Sequence, residues 1–131
     1  YLLGLLSDQA PHDYTKAFEI DFLNRKTFFF PGAGVLSIQK NLVPVWGWIR
    51  RVGRSRYEWG MEVLDAADAE KLNPSMNDQD QIDRIARSHH LSVHEAARAV
   101  ALTKVYAHKL EEKIKMAPQD WLWSHRRWKS R

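Results

Sequence analysis

The chain has 131 residues, of which 44% are hydrophobic and 27% charged, a composition typical of one globular domain with one sizeable core. It has no cysteine, which excludes disulfides, thiolate metal sites and cysteine nucleophiles. No stretch approaches the roughly 18–20 apolar residues that cross a bilayer. The net charge of +4 and the six tryptophans suit an anionic partner, although on composition alone a solvated basic face over buried aromatics is the favoured interpretation.

The first 72 residues are predicted to be rich in strands. The apolar run Tyr1–Leu6 is typical of a buried strand, and a polar loop over residues 7–11 ends it. Ala17–Leu23 alternates apolar and acidic residues, which predicts a second strand. The segment 28–32 ends in a Pro-Gly turn, and Gly34–Asn41 suits a short helix.

Two further strands are predicted on either side of an arginine-rich turn. Val43–Arg50 and Tyr57–Leu64 are separated by the turn residues Val52–Ser55, so we expect an antiparallel hairpin. With the first two strands, they predict one twisted sheet.

Beyond Pro74 the pattern becomes helical. Residues 78–89 and Ser92–Met116 predict two helices, and Pro118 stops the second. Ser92 and Glu95 form the sequence of a capping box, with Leu91 placed as a hydrophobic staple. We therefore predict an α/β fold in a single domain, residues 1–131, with a strand-rich half over 1–72 and a helical half over 73–131. Its twisted mixed sheet would be covered by helices.

The histidines offer little chemistry. His90 and Glu95 have the His-x4-Glu spacing of a general-base dyad, but the capping box explains Glu95 better. His89, His90 and His94 have no carboxylate or thiolate placed to complete a site, so no metal is expected.

Residues 82–100 also have the lengths of a helix-turn-helix. His90 stands where the turn glycine is usual, and the second helix begins with few groups that read base edges. Two packed helices are the favoured interpretation.

The tail combines three tryptophans with a tight basic run. Tryptophans at 121, 123 and 128, with Lys129, suit a membrane headgroup layer, and Arg126 and Arg127 suit phosphate. Tryptophans that cap a core, with the cations left in water, explain the segment equally well.

Three segments of the chain resemble the bacterial lipid A biosynthesis (late) acyltransferase family. The tail matches the family's C-terminal signature, Pro-x-x-Trp-Leu-Trp-x-His-Arg-Arg-Trp-Lys, over residues 118–129. Residues 4–9 look like its Asp-Gln loop after a strand, and residues 22–32 like its Phe-x-Gly-x-x-Thr…Gly segment, with Asn24 where glycine is usual. The resemblance implies the C-terminal part of a glycerolipid-acyltransferase-like fold, and a fragment of a longer enzyme.

The resemblance also implies a reaction. A fatty acyl chain would pass from acyl carrier protein or coenzyme A to a hydroxyl of a lipid A precursor or related lipid, without another cofactor. The enzyme would lie peripherally on the cytoplasmic face of a bacterial inner membrane, and nucleic acid is an unlikely partner. The family's general-base motif, His-x4-Asp/Glu, would precede residue 1, so this chain alone is expected to be inactive.

Six residues are the candidate substrate-binding groups. Asp8 and Gln9 follow a predicted strand, where open α/β sheets build sites, although a loop aspartate that caps the next turn is an equal alternative. Arg25, Arg50, Arg126 and Arg127 are candidate phosphate contacts, although plain solvent exposure is the favoured interpretation of any one of them. The rival function is a non-catalytic basic-aromatic binding module, either on a membrane surface or as a helix-turn-helix on DNA.

Overall fold

The computed structural model of the protein describes residues 2–72, 79–121 and 127–128. These form the strands β1 (Phe18–Phe22), β2 (Arg25–Phe29), β3 (Val45–Gly53) and β4 (Arg56–Val63), and the helices α1 (Gly32–Gln39), α2 (Ala69–Leu72), α3 (Gln79–His89) and α4 (Val93–Met116). Short 3-10 turns occupy Tyr14–Lys16, Ala66–Asp68 and Pro118–Asp120. The mixed α/β class and the predicted helices are confirmed. No helix within these residues is both long and apolar enough to cross a membrane.

The strands form two separate antiparallel hairpins, so the predicted single twisted sheet is wrong for the described residues. β1 pairs with β2, and β3 pairs with β4 as expected. Strand β2 was not predicted, because it begins with two charged residues and has only two buried positions, Thr27 and Phe29, close to the Pro-Gly turn.

The predicted strand at the start of the chain is also absent from the described residues. Positions 2–6 have no regular secondary structure, and Leu2 and Leu6 are 94% and 86% exposed. An apolar run becomes a buried strand only when neighbouring strands supply ladder hydrogen bonds on its edges. None of the described strands pairs with this segment.

The turn between β1 and β2 explains the departure at Asn24. Leu23 and Asn24 have φ values of 51° and 60°, in the left-handed region that two-residue hairpin turns require. Asparagine tolerates this region, so Asn24 suits the turn although glycine would adopt it without steric cost. The Glu111 carboxylate on α4 accepts a hydrogen bond from the Leu23 N–H at 3.2 Å, which fixes the strained turn.

Helix α4 carries the core on one stripe, as its sequence predicts. Ala96 and Val100 pack with Phe18 of β1 and with Ile85 of α3. Further along, the core contains two residues of α4 and two phenylalanines of the β1–β2 hairpin, namely Ala107, Ile114, Phe22 and Phe29. This packing of α3 on α4 matches the favoured interpretation of residues 82–100 as two packed helices.

Helix α1 lies close against α4 because Gly34 has no side chain. A Cβ added there would approach the Ala99 carbonyl oxygen to 2.7 Å, which is shorter than real Cβ contacts. The sequence therefore sets the spacing of the two helices through one glycine and a run of alanines.

The predicted capping box at the start of α4 is confirmed. The Ser92 hydroxyl accepts from the Glu95 N–H at 3.2 Å, and the Glu95 carboxylate accepts from the Ser92 N–H at 2.9 Å. Leu91 packs against the core as the predicted staple. Hydrogen bonds that the Glu95 carboxylate accepts from the Ser92 N–H and then from the Ser92 hydroxyl, at 2.8 Å, lower the pKa of Glu95. They also occupy the carboxylate that a His90–Glu95 dyad would need.

We predict that Ser92→Ala lowers the free energy of unfolding by about 1 kcal/mol, the usual cost of losing a serine N-cap. Urea titration followed by circular dichroism measures it. His90→Ala should cost clearly less, and equal large losses from both would contradict the capping account.

The same capping box predicts a pH dependence. Because folding lowers the pKa of Glu95 below its ordinary 4.5, its stabilisation is complete above that pH and is lost as the pH falls through the folded value. Glu95→Gln keeps both capping hydrogen bonds without titrating. Relative to Glu95→Gln, the parent should therefore lose free energy of unfolding as the pH falls below about 4.5. Parallel pH profiles would contradict this prediction.

Candidate active site

An apolar cavity of about 500 Å³ lies between the first residues of the chain, α1, β3 and α4. Its wall includes Leu3 and Leu5 from the first segment, Phe30 and Leu36 around α1, and Trp46 and Leu102 from β3 and α4. Because most of the lining is hydrocarbon, the cavity suits an apolar ligand.

One part of the cavity wall is polar. Asp8 comes from the Asp-Gln loop and Tyr106 from the middle of α4. Burial raises the pKa of the Tyr106 phenol, and the negative charge of Asp8 raises it further. Tyr106 is therefore a neutral hydroxyl at physiological pH, able to donate one hydrogen bond and accept others.

Arg127 is buried beside these two residues, with only 5% of its surface exposed. Its Nη1 donates to the Gln9 carbonyl at 2.7 Å, and its guanidinium lies 4.3 Å from the centre of the Phe29 ring. Burial lowers the pKa of Arg127, while Tyr106, Asp8 and Tyr14 oppose that shift. The group remains a cation, because arginine does not lose its proton in proteins.

Two nitrogens of Arg127 are buried without a hydrogen-bond partner among the described residues, Nε and Nη2. A buried donor that lacks an acceptor is costly, roughly 1–3 kcal/mol and more for a charged group. An anionic or carbonyl oxygen of a ligand would remove that cost. We call Asp8, Tyr106 and Arg127 the polar cluster.

The next residue anchors the same segment to the β1–β2 hairpin. The Trp128 indole donates to the Thr27 hydroxyl at 2.9 Å, and its ring lies 6.2 Å from that of Phe22. Trp121 packs against the same core cluster. These contacts favour the core-capping alternative for the two rings.

The structure brings together three of the predicted substrate-binding residues, Asp8, Gln9 and Arg127, although Gln9 contributes its carbonyl and not its exposed side chain. Arg25 is exposed on β2, with its guanidinium 5.4 Å from the Trp128 ring. Arg50 lines the cavity from β3 and pairs with Glu58 at 2.6 Å. The predicted contacts at Trp123, Arg126 and Lys129 fall outside the described residues.

Sequence reasoning missed Tyr106. Tyr106 lies three residues after Thr103 and four before Leu110, so the helical spacing of the α4 stripe contained the signal. Phe29 was assigned to a turn segment instead of a strand. Across residues 2–72, 79–121 and 127–128, no group of three or more histidine, aspartate or glutamate side chains is placed to hold a metal ion.

The family model of the bacterial lipid A biosynthesis acyltransferases matches residues 1–130. The chain belongs to this family. The resemblance read from the Asp-Gln loop and the tail is therefore confirmed. No curated protein and no solved structure matches the chain.

For this acyltransferase-family chain, Arg127→Lys tests whether a planar guanidinium holds the Asp-Gln loop. Lysine cannot both stack flat on Phe29 and reach the Gln9 carbonyl, so we predict a loss of about 2 kcal/mol in the free energy of unfolding. Amide hydrogen exchange over residues 7–10 should also accelerate.

Arg25→Lys is the matched control, since Arg25 lies exposed against the neighbouring Trp128. It should change the stability by less than about 0.5 kcal/mol and leave the exchange of the loop unchanged. Equal effects from the two substitutions would show that the buried guanidinium does not order the loop.

Proposed function

We propose that this chain acts in the transfer of a fatty acyl chain, from acyl carrier protein or a coenzyme A thioester, to a hydroxyl of a lipid A precursor or related lipid. Its helices and hairpins would belong to the C-terminal part of a glycerolipid-acyltransferase-like fold, on the cytoplasmic face of a bacterial inner membrane. Family membership supports the reaction class. The observation that carries the proposal is an apolar cavity with the polar cluster beside it.

The cavity is the proposed site for the acyl chain. Its volume of about 500 Å³ lies within the roughly 300–1,000 Å³ of small-molecule sites. Each methylene moved from water into such a wall contributes about 0.8 kcal/mol, so a long chain is retained without polar contacts.

The polar cluster is the proposed site for the reacting groups. The Asp8 carboxylate accepts a hydrogen bond from the acceptor hydroxyl, and the neutral Tyr106 phenol donates to a carbonyl or sugar oxygen. The unpartnered nitrogens of Arg127 bind an anionic oxygen, such as a phosphate on the acceptor. These residues bind and orient the substrate.

The chemical step needs a general base, and His90 and Glu95 do not form the dyad that would supply one. The acceptor oxygen attacks the thioester carbonyl, its proton passes to a base, and the thiol leaves. The resemblance assigns that base to a histidine paired with a carboxylate. In the described chain, Glu95 is held by Ser92, and His90 lies in the left-handed turn before α4. We therefore expect binding of the acyl chain without transfer.

Filling the cavity tests the acyl site. Ala33 lies at the start of α1 and lines the cavity, so Ala33→Trp should occupy space that the acyl chain needs. We expect at least a tenfold loss of affinity for radiolabelled laurate in equilibrium dialysis. Ala67→Trp, on an exposed 3-10 turn that does not line the cavity, is the matched control. Equal laurate binding by both variants would overturn the assignment of the acyl site.

A transfer assay tests the expectation that this chain alone does not transfer the acyl chain. The 131-residue chain is incubated with labelled lauroyl-acyl carrier protein and a lipid A precursor, and the lipid product is separated by thin-layer chromatography. We expect no product above the protein-free control. Transfer that disappears in His90→Ala would assign the base to His90 and contradict the capping interpretation.

A further inference from the structure

One face of the β3–β4 hairpin contains no acidic residue. Alternate residues of a strand share a face, and directly paired residues of two strands share it too. The register pairs Ile49 with Trp59 and Arg51 with Tyr57. This face, which we call the outer face, consists of Val45, Gly47, Ile49, Arg51, Tyr57, Trp59, Met61 and Val63.

The outer face is exposed along its whole length. Ile49 and Trp59, which pair directly, are 70% and 69% exposed, and the other large apolar side chains of the face are exposed as well. Single exposed apolar residues are ordinary, but a contiguous apolar patch of this kind marks a surface that binds something.

The opposite face of the hairpin is already occupied by α4. Trp46 is buried, and the Lys113 ammonium lies 3.6 Å from the centre of the Trp48 ring. Lys109 of α4 forms an ion pair with Glu62. The hairpin is therefore attached to α4 through its inner face, and its outer face remains exposed.

Unpaired arginines stand at the tip of the hairpin. Arg51, Arg54 and Arg56 are exposed, and within the described part of the chain none of them forms an ion pair with a carboxylate. Arg50, on the inner face, does pair with Glu58. Guanidinium groups beside exposed tryptophan and tyrosine suit a layer of lipid phosphates over hydrocarbon.

We propose that the outer face of the β3–β4 hairpin docks on an anionic lipid bilayer. Trp59, Ile49 and Met61 enter the headgroup layer, while Arg51, Arg54 and Arg56 contact lipid phosphates. The outer face has no acidic residue and its tip is cationic, so its charge complements an anionic bilayer. A second copy of this basic chain would instead bring like charges together.

The docking face continues into the apolar cavity. Val45, Gly47 and Ile49 belong to the outer face and also line the cavity. If the proposed function holds, an acyl chain moves between bilayer and cavity along β3 without crossing water. This step rests on that function, whereas the docking itself does not.

The charge of the tip is tested with vesicles of phosphatidylglycerol and phosphatidylcholine. Each arginine near an anionic leaflet contributes roughly fivefold to affinity, so the triple variant Arg51→Gln, Arg54→Gln, Arg56→Gln should bind about 100-fold more weakly at low salt. At about 1 M salt, where the Debye length falls to about 3 Å, the parent should lose most of this advantage. The matched control is Lys40→Gln, Arg87→Gln, Arg98→Gln, with equal charge loss at exposed positions elsewhere. Equal binding by the two triple variants would overturn the proposal.

The apolar face is tested separately. Trp59→Ser with Met61→Ser should weaken vesicle binding at least tenfold at both salt concentrations, while Leu72→Ser with Val93→Ser, two exposed apolar residues off the hairpin, should not. Sedimentation equilibrium follows the same variants. If the parent is a dimer and only the Trp59→Ser, Met61→Ser variant is a monomer, the outer face binds a second copy of the chain. That result would overturn the proposal of bilayer docking.

The readouts separate this proposal from the proposed function. The arginine triple variant leaves the cavity wall unchanged, so it should bind laurate in solution as the parent does. Loss of vesicle binding with intact laurate binding supports bilayer docking. Loss of laurate binding in Ala33→Trp with intact vesicle binding concerns the acyl site alone.

Discussion

The described structure depends on one stripe of small and branched residues along α4. Ala96, Val100, Ala107 and Ile114 let the β1–β2 hairpin and α3 pack against the same 24-residue rod. Neither two-stranded hairpin has a second sheet layer, and isolated hairpins are marginal in water. Burial against α4 is therefore what stabilises β1–β2, and contacts with α4 hold β3–β4 in place. The capping box at Ser92 is important because it fixes where this rod begins.

Local signals in the sequence were sufficient for the helices and for one hairpin. The capping box and Pro118 bound α4, and the turn at Arg54 and Ser55 separates β3 from β4, because caps, prolines and turns act over a few residues. Strand pairing is decided by distant partners. The apolar run at Leu2–Leu6 carries the strand pattern but no neighbour within the described chain, whereas the charged β2 is a strand because Phe29 buries against α4.

The candidate site shows the same division between local and distant information. Asp8, Gln9 and Arg127 were named from motif resemblance, and 118 positions separate Arg127 from the carbonyl that it binds. Spacing alone cannot reveal such a contact. Tyr106 was missed although it lies on the predicted helix. Helical periodicity predicts which face of a helix is buried, but not which residues contact that face. The site arises where the end of the chain returns to a loop near its start, a junction that only the fold defines.

The two tryptophan-rich segments differ in what covers them, and this difference separates their roles. Trp128 donates to Thr27 and packs on Phe22, so its polar and apolar parts are both satisfied within the protein. Trp59 is 69% exposed and lies beside arginines that form no ion pair with a carboxylate within the described chain. Amphipathic rings are stabilised at a lipid interface only if their surface remains available. The proposed membrane contact is therefore assigned to the hairpin and not to Trp128, even though both segments are rich in tryptophan and arginine.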